Sequence, residues 1–458
     1  MGIVILVLFV LTLPPIFFTI KKIKMKEDIN MLDINILATF LYFIFIPVYY
    51  YFIGEEYAVD LLEDGIVTFI IVGVYIYIIY FLDIIVSKSN KCKYSLLNIS
   101  YQLRTFYRKI IFFKKYHLYL IVFILSLNLY SNLFYSNLQG KNLSNADMEV
   151  IYTAQVNTAD RINYKLRGIY NFFLVPIILY GIIIVKKTTS KFYKNIGWCI
   201  IGSSSVIFLL GSRRPMIAAL IFVLLFFYSI SKQNIKKKTI FKLIIGFGLI
   251  IGIFFPSYQV YRLVKEYSLL NDTNVDFASV ISNSKELLSN YEVFQEAKES
   301  NSKRSLNLFS ALDSAVKNDS YNGWVIWKCV TNFMPGAPSL NNNVEYQLAN
   351  KYAHRGADIA DSILMYSVAD FNFLGCFFSL FYLCFFYKIY KLFIVIFKRY
   401  DYYYIFSIYF LYQIYNVSIS LEFSPYWAVK NFVSTIFYSL IIAISLYLLS
   451  KRKLKIYL

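Results

Sequence analysis

Histidine is nearly missing from this chain, with two in 458 residues, and that scarcity argues against a His-built metal centre. Cysteine is sparse too. The five, at positions 92, 199, 329, 376 and 384, show no metal spacing, and only Cys329 lies in a long polar segment. Neither a zinc site nor a disulfide framework is expected. Charged residues make up only 16%, against about a quarter in a soluble protein. Glycine (17) and proline (9) are few. No phosphate-binding Gly loop, nucleophile elbow or His-Glu-x-x-His motif is present. The familiar soluble catalytic motifs are therefore missing, and no cofactor is called for. There is no internal repeat and no low-complexity segment.

What is present is apolar. Hydrophobic residues reach 58% and aromatics 20%, arranged in repeated runs of about 20 residues, the length of a membrane-crossing helix. The runs fall at 1–20, 34–53, 66–86, 117–135, 168–185, 240–257, 364–387, 402–421 and 431–449. One longer run, 195–231, is interrupted only by Ser212-Arg213-Arg214-Pro215. As a single straight helix it would be roughly 55 Å long, against about 30 Å of hydrocarbon. It is expected to be a hairpin of two spans with the two arginines at its tip, because an Arg at mid-membrane costs at least ~2.5 kcal/mol. No small-residue cleavage site follows the first run, which is expected to be a retained helix. The fold class is all-α integral membrane: a polytopic bundle of about 11 transmembrane helices with one large, partly helical loop at 258–363.

The net charge of +19 is not a nucleic-acid signature, because most of the 46 Lys and Arg sit in alternate short loops. These follow the spans ending near 20, 86, 185, 231, 387 and 449. The positive-inside rule puts those loops in the cytoplasm. The N-terminus and the long loop then face outward, and the C-terminus inward. Asp83, near the cytoplasmic end of its span, is expected to be solvated.

The long loop carries mixed charge. Asn283-Ser284-Lys285-Glu286 resembles a capping box. Leu306, Phe309, Ala311, Leu312 and Val316 suit a short helix. Trp324, Val325, Trp327 and Val330 suit another, lying along the membrane interface.

Candidate chemistry gathers on the outer side. Arg213 and Arg214 stand where the topology rule disfavours positive charge. They are either headgroup anchors or a phosphate site, for which their planar donor forks are suited. His354 is the one outer imidazole and the candidate base; an inert surface His is the plainer alternative. Arg355, Arg262 and Lys265 could add positive charge, or be balanced by the loop's own acids. Trp324, Trp327, Tyr346 and Trp427 could stack on sugar rings or form an interfacial aromatic belt. Asp358, Asp361 and Glu422 are candidate acids or hydrogen-bond acceptors.

Three stretches then carry a family resemblance. Leu209-Leu210-Gly211-Ser212-Arg213-Arg214-Pro215-Met216-Ile217 is similar to the glycine-then-Arg hairpin that opens a span in the oligosaccharide repeat-unit polymerases of the Wzy type, which include the O-antigen polymerases. Asn332-Phe333-Met334-Pro335-Gly336-Ala337-Pro338-Ser339 is similar to the Pro-Gly turn of that family's large outer loop. Gly356 to Gly375, with Ser362, Ser367 and Asn372, resembles its loop end and re-entry helix. One departure is that many relatives carry an Arg in the last outer loop, where this chain has Glu422 and Lys430.

The resemblance implies a metal-independent glycosyltransferase of lipopolysaccharide biosynthesis in the bacterial inner membrane, with its site facing the periplasm. It would move the growing glycan from undecaprenyl diphosphate onto a new undecaprenyl diphosphate-linked oligosaccharide. The implied partners are that lipid-linked oligosaccharide, the lipid bilayer and a chain-length regulator protein, with no nucleic acid. Arg213, Arg214 and Arg355 or Arg262 would meet the diphosphate leaving group, His354 would activate the acceptor hydroxyl, and Trp324, Trp327, Asp358 and Glu422 would hold the glycan. An O-antigen ligase would use the same residues on a different acceptor. A lipid-linked oligosaccharide flippase, a transporter, would place charges inside its spans. A membrane O-acyltransferase would want His and Arg near its first spans, and a scaffold would have no use for the Arg pair.

Overall fold

The computed structural model of the chain describes residues 1–25, 27–88, 98–109, 174–209, 213–231, 304–317, 321–325, 327, 362–398 and 404–419. All regular structure among them is helical, apart from one isolated bridge between Asn30 and Asn98. In chain order the helices are α1 (Gly2–Lys24), α2 (Met31–Ile53), α3 (Glu56–Asp64), α4 (Ile66–Lys88), α5 (Ile99–Lys109), α6 (174–187), α7 (Lys191–Leu209), α8 (Arg213–Ser231), α9 (Arg304–Lys317), α10 (Ile363–Phe371), α11 (Gly375–Lys398) and α12 (Tyr404–Ile419). Among the described residues, four apolar stretches are long enough to cross a membrane: Gly2–Lys24, Met31–Ile53, Ile66–Ile85 and Ile363–Val395. The chain forms two compact units, residues 1–106 with 302–458, and residues 107–301.

In the first unit, side-chain pairings fix the relative directions of the helices. Tyr77 of α4 reaches Leu11 of α1, the Phe18 and Tyr80 rings meet at 5.3 Å, and Lys22 pairs with Asp83. Numbers rise together, so α1 and α4 run parallel. Cys376 meets Ile71 and Ser379 meets Tyr75, so α11 runs the same way as α4. Helix α2 runs against α4, with Asn30 at Asp83 and Asn35 at Tyr75. Alternate loop charge implies the same relative directions.

Two elements depart from regular helix for a local reason. Pro14 and Pro15 lie inside α1. Pro15 lacks the N–H that would serve the Leu11 carbonyl four residues back, and the Tyr77 hydroxyl donates to that oxygen instead, at 2.6 Å. In α2 a π-helical turn at Leu41–Phe45 precedes Pro47. The wider turn makes room for the proline ring against the preceding turn's carbonyls.

The apolar stretch expected to cross at 364–387 is not one helix. It divides at a 3₁₀ turn, Asn372–Leu374, where Asn372 has φ +49°. The spanning helix is α11, and the shorter α10 doubles back on it. A side chain at Gly375 would collide with the Ser367 carbonyl, so only glycine lets the two backbones come this close. The Phe371 and Phe378 rings stack across the break at 3.9 Å. Nine residues of α helix span only about 13 Å, too short to cross. Every residue of Ser362–Asp370 is buried in protein.

In the second unit, α6 and α7 are joined by residues 188–190 and touch through glycines. A Cβ on Gly181 would lie 2.9 Å from Ile201, and one on Gly197 would lie 2.7 Å from Val185. Small residues at a crossing let membrane helices approach closely. Lys187 sits over the Tyr107 ring at 4.5 Å and donates to the Tyr107 carbonyl in the last turn of α5. Burial lowers its pKa from the usual lysine value. The apolar run 195–231 is divided, as expected, into α7 and α8 at the basic break.

Candidate functional site

Two ends of the first unit hold its polar chemistry. At the end where α4 begins, the long polar segment docks on the bundle through α9. The pattern Leu306, Phe309, Ala311, Leu312 does form a helix, and all four are buried. Thr68 of α4 donates to Asp313 at 2.7 Å, and Lys317 pairs with the other carboxylate oxygen at 2.7 Å. Beside this contact the Phe309 and Phe69 rings lie 6.5 Å apart.

The aromatic residues follow. Tyr321 N–H donates to the Ala369 carbonyl at 3.0 Å, and Val325 N–H donates to the buried Asp370 carboxylate at 2.9 Å. Residues 321–327 are thereby pinned to the end of α10. Val325 is fully buried while Trp324 and Trp327 are 51% and 59% exposed. The pinning thus leaves two indoles exposed, three residues apart, as a sugar-stacking platform or an interfacial belt requires. Described residues 324, 325 and 327 are helical, as the sequence suggested.

Arg213 and Arg214 are the first two residues of α8, in the second unit. Two cations at a helix N-terminus oppose the helix dipole, whose positive end lies there. Helix N-termini commonly hold anions, and Arg213 and Arg214 stand at this one. His354, Arg355, Asp358, Arg262 and Glu422 lie outside the described residues, as does the turn at 332–339.

At the opposite end of α4 the structure reveals a cluster that was not anticipated. Lys22 of α1 pairs with Asp33 at 3.0 Å and also with Asp83. Asn30 donates its side-chain amide to Asp83 and its backbone N–H to Asp33, both at 2.8 Å. Asp83 is 0% exposed, Asp33 1% and Lys22 5%. The expected solvation of Asp83 is therefore wrong: α1 and α2 close over it and supply donors in place of water. Next to the cluster, Arg104 grips Asp28 with two bonds of 2.7 Å, and Asn98 donates to the same carboxylate.

Part of this was readable beforehand. Asn30 followed three residues later by Asp33, before an apolar run, is a helix-start pattern. Asp83, in an otherwise uncharged run, is the kind of residue that needs a partner. Nothing distinguished Lys22 from its exposed neighbours Lys21 and Lys24. No group of metal-ligating side chains occurs among the described residues. Comparison with protein families, curated proteins and solved structures gave no match.

Proposed function

We propose that this protein is a surface-polysaccharide (O-antigen) polymerase. It moves a growing glycan from undecaprenyl diphosphate onto the next lipid-linked repeat unit, on the periplasmic side of the bacterial inner membrane. The observation that carries the reading is Arg213-Arg214 at the start of a helix that follows an apolar run. A diphosphate leaving group develops charge as the bond to the sugar anomeric carbon breaks, and paired arginines at a helix N-terminus suit that charge. The docked polar segment supports it as well, since Trp324 and Trp327 are held outward by a buried scaffold. Short α10, doubled back at Asn372 and Gly375, falls where the family resemblance has its re-entry helix. His354 is assigned the acceptor hydroxyl's proton, Arg355 and Arg262 further contacts to the diphosphate, and Asp358 and Glu422 contacts to the glycan.

One observation favours a second reading, a lipid-linked oligosaccharide flippase. Charges buried among membrane helices mark transport pathways in many proteins, and Lys22, Asp33 and Asp83 are such charges. Complementation of a strain lacking its own copy, read on a polysaccharide gel, separates the two. A polymerase restores the ladder, and Arg213→Ala, Arg214→Ala or His354→Ala at matched protein levels leaves single repeat units attached to the core. Loss of all attached repeats in those variants would point to the flippase or to a ligase. A normal ladder from all three would remove the site assignment.

A further inference from the structure

We infer that the turn between α6 and α7 is a headgroup site for anionic phospholipid on the cytoplasmic side of the membrane. The inference stands independently of the polymerase reading. It needs only the inward placement that loop charge gives this turn. It begins in the sequence of the second unit. From Arg161 to Lys265 there are sixteen Lys and Arg and no Asp or Glu. The acids of that unit fall at 147–160 and 266–299, in the two loops expected to face outward. Its inward loops carry cations and no acid of their own, and an anionic leaflet attracts such a surface.

The fold gathers part of this charge. Lys187, at the end of α6, sits over the Tyr107 ring at 4.5 Å and donates to the Tyr107 and Arg108 carbonyls. That lysine holds the end of α5 in place, and it brings the exposed Arg108 to the turn. Lys186, Lys191 and Lys194 are exposed. Lys191 and Lys194 open α7, and residues three apart share a helix face. Their like charges repel, and cations in a first turn oppose the helix dipole. An anion between them relieves both costs.

The aromatic residues select the source of that anion. Phe192 and Trp198 are 68% and 60% exposed, and the Tyr193 ring meets Phe192 edge-on at 5.5 Å. Rings of this kind belong at the headgroup level of a bilayer, where one part of the side chain is apolar and another wet. Trp198 lies about 6 Å further along α7 than Lys194. Cations and indole thus stand at successive depths, as a phosphate above an acyl chain requires. A soluble polyanion would meet the cations and leave Phe192 and Trp198 in water.

The test is native mass spectrometry of the full-length chain released from nanodiscs of phosphatidylglycerol and phosphatidylethanolamine in equal amounts. Wild type should retain phosphatidylglycerol in preference. Each lysine near an anionic surface contributes about fivefold in binding, so the triple variant Lys186→Gln, Lys191→Gln, Lys194→Gln should lower the preference about tenfold or more. The control, Lys388→Gln with Lys391→Gln, removes two exposed lysines of α11 and should keep it. No preference in wild type, a preference that survives in the triple variant, or an equal loss in the control would overturn the inference. Should the triple variant fail to accumulate, photoactivatable phosphatidylglycerol added to wild type decides. Its adducts should map to residues 186–198, and adducts confined to other segments would overturn the inference. Displacement of the lipid by a labelled oligonucleotide would point to nucleic acid and overturn it as well.

Discussion

The two ends of α4 solve the same problem with different means. At one end a buried carboxylate, Asp83, is held by an ammonium and an amide from two other membrane helices. At the other end Thr68 donates one hydrogen bond to Asp313, a residue of the polar segment, which also keeps a half-exposed lysine partner. The first end is closed and charged, and removal of Lys22 would strand two buried carboxylates. The second is a docking contact, one polar bond beside a pair of phenyl rings. The cluster end therefore joins the bundle, while the other end positions a segment that carries the candidate glycan-binding residues.

The sharpest way to break this contrast is Lys22→Met, which leaves Asp33 and Asp83 buried without their cation. Loss of one partner of a buried pair costs about 3–5 kcal/mol. The variant should fail to yield monodisperse protein in size-exclusion chromatography, whereas Lys21→Met should behave as wild type. Next is Gly375→Ala. Its methyl group would meet the Ser367 carbonyl, and overpacking of this kind costs about 1–3 kcal/mol or more. Protease cleavage at the α10–α11 break should rise, and glycan assembly should fall with it.

Thr68→Val probes the docking end alone. Asp313 loses a donor but keeps Lys317, so a cost at the lower end of about 1–3 kcal/mol is expected. Limited proteolysis should show α9 released before the bundle melts. If the bundle melts together with α9, the two ends are a single cooperative unit and the contrast fails. The smallest effect on stability belongs to Trp324→Ala and Trp327→Ala. Both indoles are more than half exposed, and surface changes stay within about 0.5 kcal/mol. Thermal melting should be unchanged, while a fluorescence titration with purified repeat-unit oligosaccharide should lose its signal in both.

What the sequence revealed follows from how each feature is encoded. Apolar runs of membrane length marked α1, α2 and α4 to within a few residues, because span length is set by bilayer thickness. The α9 helix was legible because its apolar residues recur at helical spacing in a polar context. The doubled-back α10 was not, since a hydropathy window sums over Asn372 and Gly375 and sees one apolar stretch. The inner cluster was partly hidden for a related reason. Lys22 counts toward loop charge in any reading by position, and only the packing of α2 and α4 against α1 shows that it points into the bundle. Of the candidate site, the exposure of Trp324 and Trp327 could be argued from their flanking Val325, but the pinning carboxylate, Asp370, lies 45 residues on from Val325 and left no local signature.

The Tyr77 hydroxyl on the Leu11 carbonyl bears on how the chain is assembled. α1 is synthesised before α4, yet one of its backbone oxygens lacks its usual donor because Pro15 has no N–H. The missing donor is synthesised more than sixty residues later, on α4. In hydrocarbon such an oxygen has no water to fall back on. The first helix is thus unfinished until the third apolar stretch arrives beside it, and the order of synthesis is built into the pairing of α1 with α4.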